Sequence, residues 1–131
     1  MEVQVELSKI IINEAVDQQI IVLKELNGDR SFPIVIGMTE AMAIERRLKG
    51  IELPRPMTHD LLASVIEQMD GKIEKVVISD LANGTFYALL YVNVDGEELE
   101  IDSRPSDAIA LSAGMDVRLF VDEEIFQKTQ M

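Results

Sequence analysis

A six-residue pattern near the C-terminal end of the chain has a counterpart 67 positions earlier. Ser106-Asp107-Ala108-Ile109-Ala110-Leu111 aligns with Thr39-Glu40-Ala41-Met42-Ala43-Ile44, reading hydroxyl, acid, alanine, apolar, alanine, apolar in both. Such a repeat constrains the fold, because two similar units must then fit within 131 residues. The copies differ just upstream. Ile101-Asp102-Ser103-Arg104-Pro105 carries charge where the first copy has only apolar residues and Gly37. That asymmetry marks the end of the second copy's strand as a candidate site.

The segments around the repeat read as strands joined by hairpins. Val3, Val5 and Leu7 alternate with Glu2, Gln4 and Glu6, the pattern of a half-buried strand over residues 2–12. Asn27-Gly28, Asn83-Gly84 and Asp95-Gly96 are dipeptides that accept the positive φ angles of type I′ turns. The first predicts strands over 20–26 and 32–36; the other two join strands over 73–81, 85–94 and 98–101. Pro33 cannot donate a ladder hydrogen bond, which predicts an edge strand or a bulge there.

Helices close each set. Thr39 is the expected cap of a helix running to Leu48 and stopped by Gly50, with Ala41, Ile44 and Leu48 on one face. Ser106 is the expected cap of a shorter helix ending near Gly114. Between the copies, Leu61, Leu62, Val65, Ile66 and Met69 form the apolar stripe of an inserted helix over 59–69, capped by Thr58. A last strand over 117–121 and a short acidic helix follow. The expected fold class is α+β: a duplicated β-β-β-α unit with an inserted helix and a mostly antiparallel sheet.

Composition narrows the function. Residues 1–131 suit a single domain able to bury roughly two-thirds of its unfolded surface. There is no cysteine, hence no disulfide framework, thiolate metal site or cysteine nucleophile. The acidic N-terminus lacks the basic and apolar regions of a secretory signal, and no apolar run approaches the ~20 residues of a membrane span. The expectation is a cytoplasmic chain with no membrane partner. Twenty-four acids against twelve bases give a charge of −12, which disfavours nucleic acid as a partner unless a local basic patch or bridging cations intervene. The same charge also serves solubility.

Two segments carry candidate chemistry. In Leu53-Pro54-Arg55-Pro56-Met57-Thr58-His59-Asp60, the prolines extend the chain around Arg55 and place the only histidine at a helix start. Arg55, a helix N-terminus and an imidazole beside a carboxylate can hold an anion or a metal. The alternative is structural, with Asp60 complementing the helix dipole and His59 on polar surface. In the second segment, Asp102 and Asp107 flank Arg104 and could hold a divalent cation or orient a phosphate. Here the alternative is an Arg104–Asp102 salt bridge, with Asp107 in a first helical turn opened by Pro105. Asp80 would add a third carboxylate if the strand ends converge. The seven methionines suit the core, and Arg46, Arg47 and Lys49 suit a solvated helix face. No Walker loop, Gly-x-Ser-x-Gly elbow or His-Glu-x-x-His occurs.

Several segments together resemble the bifunctional nuclease family of small bacterial and plant domains. They are Val22-Leu23-Lys24-Glu25, Phe32 to Gly37, Glu40 to Ile44, Pro54 to Leu62, Asp80-Leu81, Gly84 to Ala88 and Ile101 to Leu111, and the resemblance as a whole covers about residues 3 to 122. The resemblance implies a duplicated three-strand-plus-helix fold and cleavage of DNA and RNA, the activity associated with plant members. It supplies no catalytic set, so residue roles rest on local chemistry. Some members carry a C-terminal UVR-type interaction module, which is not expected within these 131 residues.

The leading expectation is a nuclease assisted by Mg²⁺ or Mn²⁺, with no organic cofactor. His59, Asp60, Asp102 and Arg104 are the candidate catalytic residues, Arg55 and Arg104 the phosphate contacts, and Asp80, Asp102 and Asp107 the metal ligands. One rival is a non-enzymatic homo-oligomeric scaffold or regulatory module using open strand edges such as that of Pro33. Another is a small anionic-ligand sensor using Arg55 and Arg104. A nuclease site requires His59, Asp60, Asp102 and Arg104 in one accessible cleft. The scaffold predicts Arg104 buried on Asp102 and far from His59, and the sensor predicts both arginines in one pocket free of carboxylates.

Overall fold

A computed structural model of the chain describes residues 1–130. Its elements run β1 (Glu2–Ile11), β2 (Gln18–Glu25), β3 (Ser31–Gly37), α1 (Met38–Leu48), α2 (Thr58–Gln68), β4 (Gly71–Ala82), β5 (Thr85–Val94), β6 (Glu97–Ser103), α3 (Pro105–Ser112), β7 (Arg118–Asp122) and α4 (Glu123–Thr129). The expected α+β class holds. One seven-stranded sheet has the order β3-β2-β1-β7-β4-β5-β6. Every pairing is antiparallel except β4 with β7. Read outward from β7, the order is 1-2-3 on one side and 4-5-6 on the other, the symmetry expected of two β-β-β-α units. No helix among the described residues is long and apolar enough to cross a membrane.

Side chains alternating along β2, β3, β4 and β5 build one face of the core: Ile21, Leu23, Phe32, Ile34, Val76, Ile78, Ala88 and Leu90 are all buried. Ala41 and Ile44 of α1 and the run Ala108–Leu111 of α3 fill it from the helical side. The sheet curls, bringing Phe32 of β3 into a stack with Phe86 of β5 at 5.4 Å, with Phe126 of α4 edge-on to Phe32 at 5.4 Å. Arg30 anchors α4 through ion pairs to Glu25 at 2.8 Å and Glu123 at 2.7 Å.

Turn chemistry held at two of three places. Asn83, Gly84, Asp95 and Gly96 all have positive φ, as two-residue type I′ turns demand. Asn27-Gly28 does not form one. Neither residue has positive φ, and a longer loop is closed by the Glu25 N–H donating to the Arg30 carbonyl at 2.9 Å. Pro33 does lie on an edge strand, opposite Val22.

The helices begin earlier than their capping hydroxyls suggest. Gly37, Met57 and Arg104 are the N-caps, so Thr39, Thr58 and Ser106 lie inside the first turn. Strand β3 runs into α1 without a loop, and Pro105, its φ already helical, opens α3. Leu48 is exposed, although Ala41 and Ile44 on its expected face are buried. The stripe on α2 likewise faces largely outward: Leu61 is 56 % and Met69 69 % exposed, and only Ile66 of the stripe packs on the core.

Candidate functional site

The first turns of α1, α2 and α3 share one groove, and a half-buried ion network ties the last turn of α1 to the start of α2 and the C-terminal end of α3. Arg46 and Arg47, expected on a solvated face, have side chains only 16 % and 14 % exposed. Arg47 donates from Nε to the Ala110 carbonyl at 2.6 Å and from Nη2 to the Leu111 carbonyl at 3.0 Å, capping the open end of α3. Its Nη1 also reaches Asp60 Oδ1, while Arg46 Nη2 reaches Asp60 Oδ2 at 2.8 Å. Asp60 Oδ2 in turn accepts the Met57 N–H at 2.9 Å, capping the start of α2. Burial pushes the Asp60 carboxyl up, but the Met57 N–H and the two guanidiniums outweigh it and bring its pKa to about 2. Asp60 therefore clamps the start of α2 to the end of α1.

With α2 clamped, the neighbouring His59 points at α3. Its Nε2 lies 2.9 Å from Asp107 Oδ1. Asp107 also accepts from Arg104, Nε to Oδ2 at 2.8 Å and Nη2 to Oδ1 at 3.1 Å. Burial raises the Asp107 pKa, the bonds from Arg104 and His59 lower it, and the net is a carboxyl below its ordinary value. An ionised Asp107 can only accept, so His59 Nε2 carries the proton of their bond, which in the neutral tautomer of imidazole puts the lone pair on Nδ1.

His59, Arg104 and Asp107 line one end of a groove of about 770 Å³. Met38, Met42, Ile51, Leu53 and Met57 give it apolar walls. The first turn of each of the three helices contributes to it, and helix N-termini favour negative charge.

Other candidates lie elsewhere. Asp102 is exposed on β6 opposite Leu89; the expected Arg104–Asp102 bridge is replaced by Arg104–Asp107, one helical turn apart. Asp80 is exposed near the far hairpin, where it accepts the Leu81 N–H at 2.8 Å and lies 3.8 Å from Lys128. Arg55 is exposed in the loop before α2 and does not line the groove. Asp80, Asp102 and Asp107 thus do not form the expected ligand set. Among the described residues, no three His, Asp or Glu side chains are disposed to hold a metal ion.

Among the groove residues outside the expected site set, which include Glu45 and Lys49, Glu40 is the one that the sequence could have shown. The signal was in the repeat: Glu40 aligns with Asp107, both third in their helices, just as the N-cap Gly37 aligns with the N-cap Arg104.

Residues 21–131 match the bifunctional nuclease domain family. Two uncharacterised proteins from Mycobacterium tuberculosis strains are 37% identical over 122 residues, 93% of this chain and 73% of theirs. Bifunctional nuclease 1 of Oryza sativa subsp. japonica and the bifunctional nuclease of Oryza minuta are each 28% identical over 118 residues, 87% of this chain and 36% of theirs. The family assignment agrees with the fold, and the chain belongs to the bifunctional nuclease domain family.

Proposed function

We propose that this chain hydrolyses phosphodiester bonds of DNA or RNA in the groove at the start of α1, α2 and α3. The observation that carries the proposal is the His59–Asp107–Arg104 chain of hydrogen bonds at the groove's end. Asp107 holds the imidazole in the tautomer whose Nδ1 can take a proton. His59 takes that proton from a water as the water oxygen attacks phosphorus. The P–O bond to the leaving nucleoside oxygen then breaks, and that oxygen is protonated from solvent or by His59. Arg104 spends Nε and one Nη2 hydrogen on Asp107 and presents Nη1 to the phosphate, supported by the helix N-termini. The acidic, cysteine-free composition suits a cytoplasmic setting, and the −12 charge makes binding depend on this local site.

The test is cleavage of fluorescent single-stranded DNA and RNA with Mg²⁺, Mn²⁺ or EDTA, comparing wild type with His59→Ala, each checked by thermal melting. Activity lost in the folded variant supports the proposal. Equal activity in both preparations would point to a contaminant or another site. A second reading, a homo-oligomeric scaffold, is favoured by the outward apolar stripe of α2. No cleavage by either protein, together with a dimer or larger species in sedimentation, would shift the assignment to it.

A further inference from the structure

The two edges of the sheet are treated differently. On β3, Phe32, Ile34 and Ile36 are buried, Pro33 offers no N–H, and Gln130 after α4 donates to the Ser31 carbonyl at 2.8 Å. Among the described residues, strand β6 has no such cover. All six residues from Glu97 to Asp102 are exposed, and β5 is the element that packs on it.

The register shows what this edge offers. Across the Asp95-Gly96 turn, Val94 faces Glu97, and in a two-residue hairpin that pair exchanges both hydrogen bonds. Alternation then turns Leu99, Ile101 and Ser103 toward β5 and leaves the backbone N–H and C=O of Glu98, Glu100 and Asp102 pointing off the sheet. The side chains also alternate. Leu99 and Ile101, 37 % and 41 % exposed, stand opposite the buried Val92 and Leu90 on the helix-covered face. Glu98, Glu100 and Asp102 occupy the other face.

We propose that β6 receives an extended segment of another polypeptide in which basic and apolar residues alternate, adding an eighth strand to the sheet. Its backbone would meet the free groups of Glu98, Glu100 and Asp102. Its apolar side chains would continue the row from Leu99 and Ile101, and its Lys or Arg side chains would face the three acids. Charge selects this occupant over a second copy. Antiparallel self-pairing centred on Glu100 would set Glu100 against Glu100 and Glu98 against Asp102, between two bodies of charge −12. The surface is separate from the groove and does not depend on nuclease activity.

The probe is a fluorescent octapeptide of alternating Lys and Val, read by anisotropy against the full chain. Controls are a peptide of the same composition with its lysines in one block, and an alternating peptide N-methylated on its pairing amides. The alternating peptide should bind, with both controls roughly ten-fold weaker or more. Glu98→Lys/Glu100→Lys should lose a similar factor. So should Glu100→Pro, which deletes an outward N–H and leaves the bonds to β5 in place. Equal binding of the alternating and block peptides would reduce the effect to bulk charge and overturn the proposal, as would full binding of the N-methylated peptide. No binding by any peptide, or a wild-type dimer dispersed by Glu100→Pro, would overturn it too.

Discussion

His59 Nε2 and Asp107 Oδ1 meet at 2.9 Å although 48 residues separate them in the chain. The contact joins the first turns of two helices, so neither residue places the other without the packing of α2 on α3. If the pair acts as one unit, its members are not additive. His59→Ala and Asp107→Asn should each lower cleavage of single-stranded nucleic acid by roughly a hundred-fold or more, and the double variant should be no worse than either. Independent losses that multiply in the double variant would separate the two residues functionally.

Asp102 and Asp80 give the contrasting expectation. Both side chains are exposed, and neither reaches His59 or Arg104. Asp102→Ala and Asp80→Ala should leave cleavage within about two-fold and stability within about 0.5 kcal/mol. A large loss in folded Asp102→Ala would mean that the reacting phosphate sits at the end of β6, outside the groove proposed above.

What the chain disclosed early was local or periodic. Asn83-Gly84 and Asp95-Gly96 formed their turns because positive φ is a property of those residues themselves. Asn27-Gly28 did not, since its loop answers to Arg30, which reaches Glu123 from 93 residues away. The stripe on α2 was real as periodicity, but periodicity cannot say whether a partner surface lies opposite. Arg46 and Arg47 read as solvated because their partner, Asp60, lies on another helix. The internal repeat held the missed information: it pairs Asp107 with Glu40 as equivalent helix-start acids, and both line the groove. The repeat could not show that His59, on the helix inserted between the copies, would choose Asp107.

Asp60 predicts a pH dependence of stability. Its folded pKa of about 2 lies below the ordinary 3.8, so its contribution is complete above the ordinary value and fades as pH falls toward 2. Asp60→Ala should therefore destabilise the protein at pH 7 by about 1–2 kcal/mol, after allowance for solvent screening. The gap between wild type and variant should narrow in urea titrations repeated from pH 5 down to pH 2.5. Cleavage should fall as well, because the clamp on α2 also positions His59. A gap that stayed constant with pH would remove the ionised carboxylate as the source of stability.

Gly114 tests how tightly the end of α1 is held against the segment that follows α3. Its φ is +77°, and a Cβ there would stand 2.6 Å from the Arg47 carbonyl oxygen, a backbone atom that cannot swing aside. Gly50, just past α1, has a similar φ of +67°, but a Cβ there would meet nothing within 4 Å. Alanine at Gly50 should cost only the left-handed backbone penalty of about 1 kcal/mol. At Gly114 the clash adds to that penalty, for about 2–4 kcal/mol in all. Because Arg47 also caps α3 and holds Asp60, Gly114→Ala should lower cleavage while Gly50→Ala leaves it near wild type. Urea denaturation of the two variants side by side measures the difference. Equal losses would show that the α1 terminus yields to the added methyl, and that the clamp on the groove is softer than its hydrogen bonds imply.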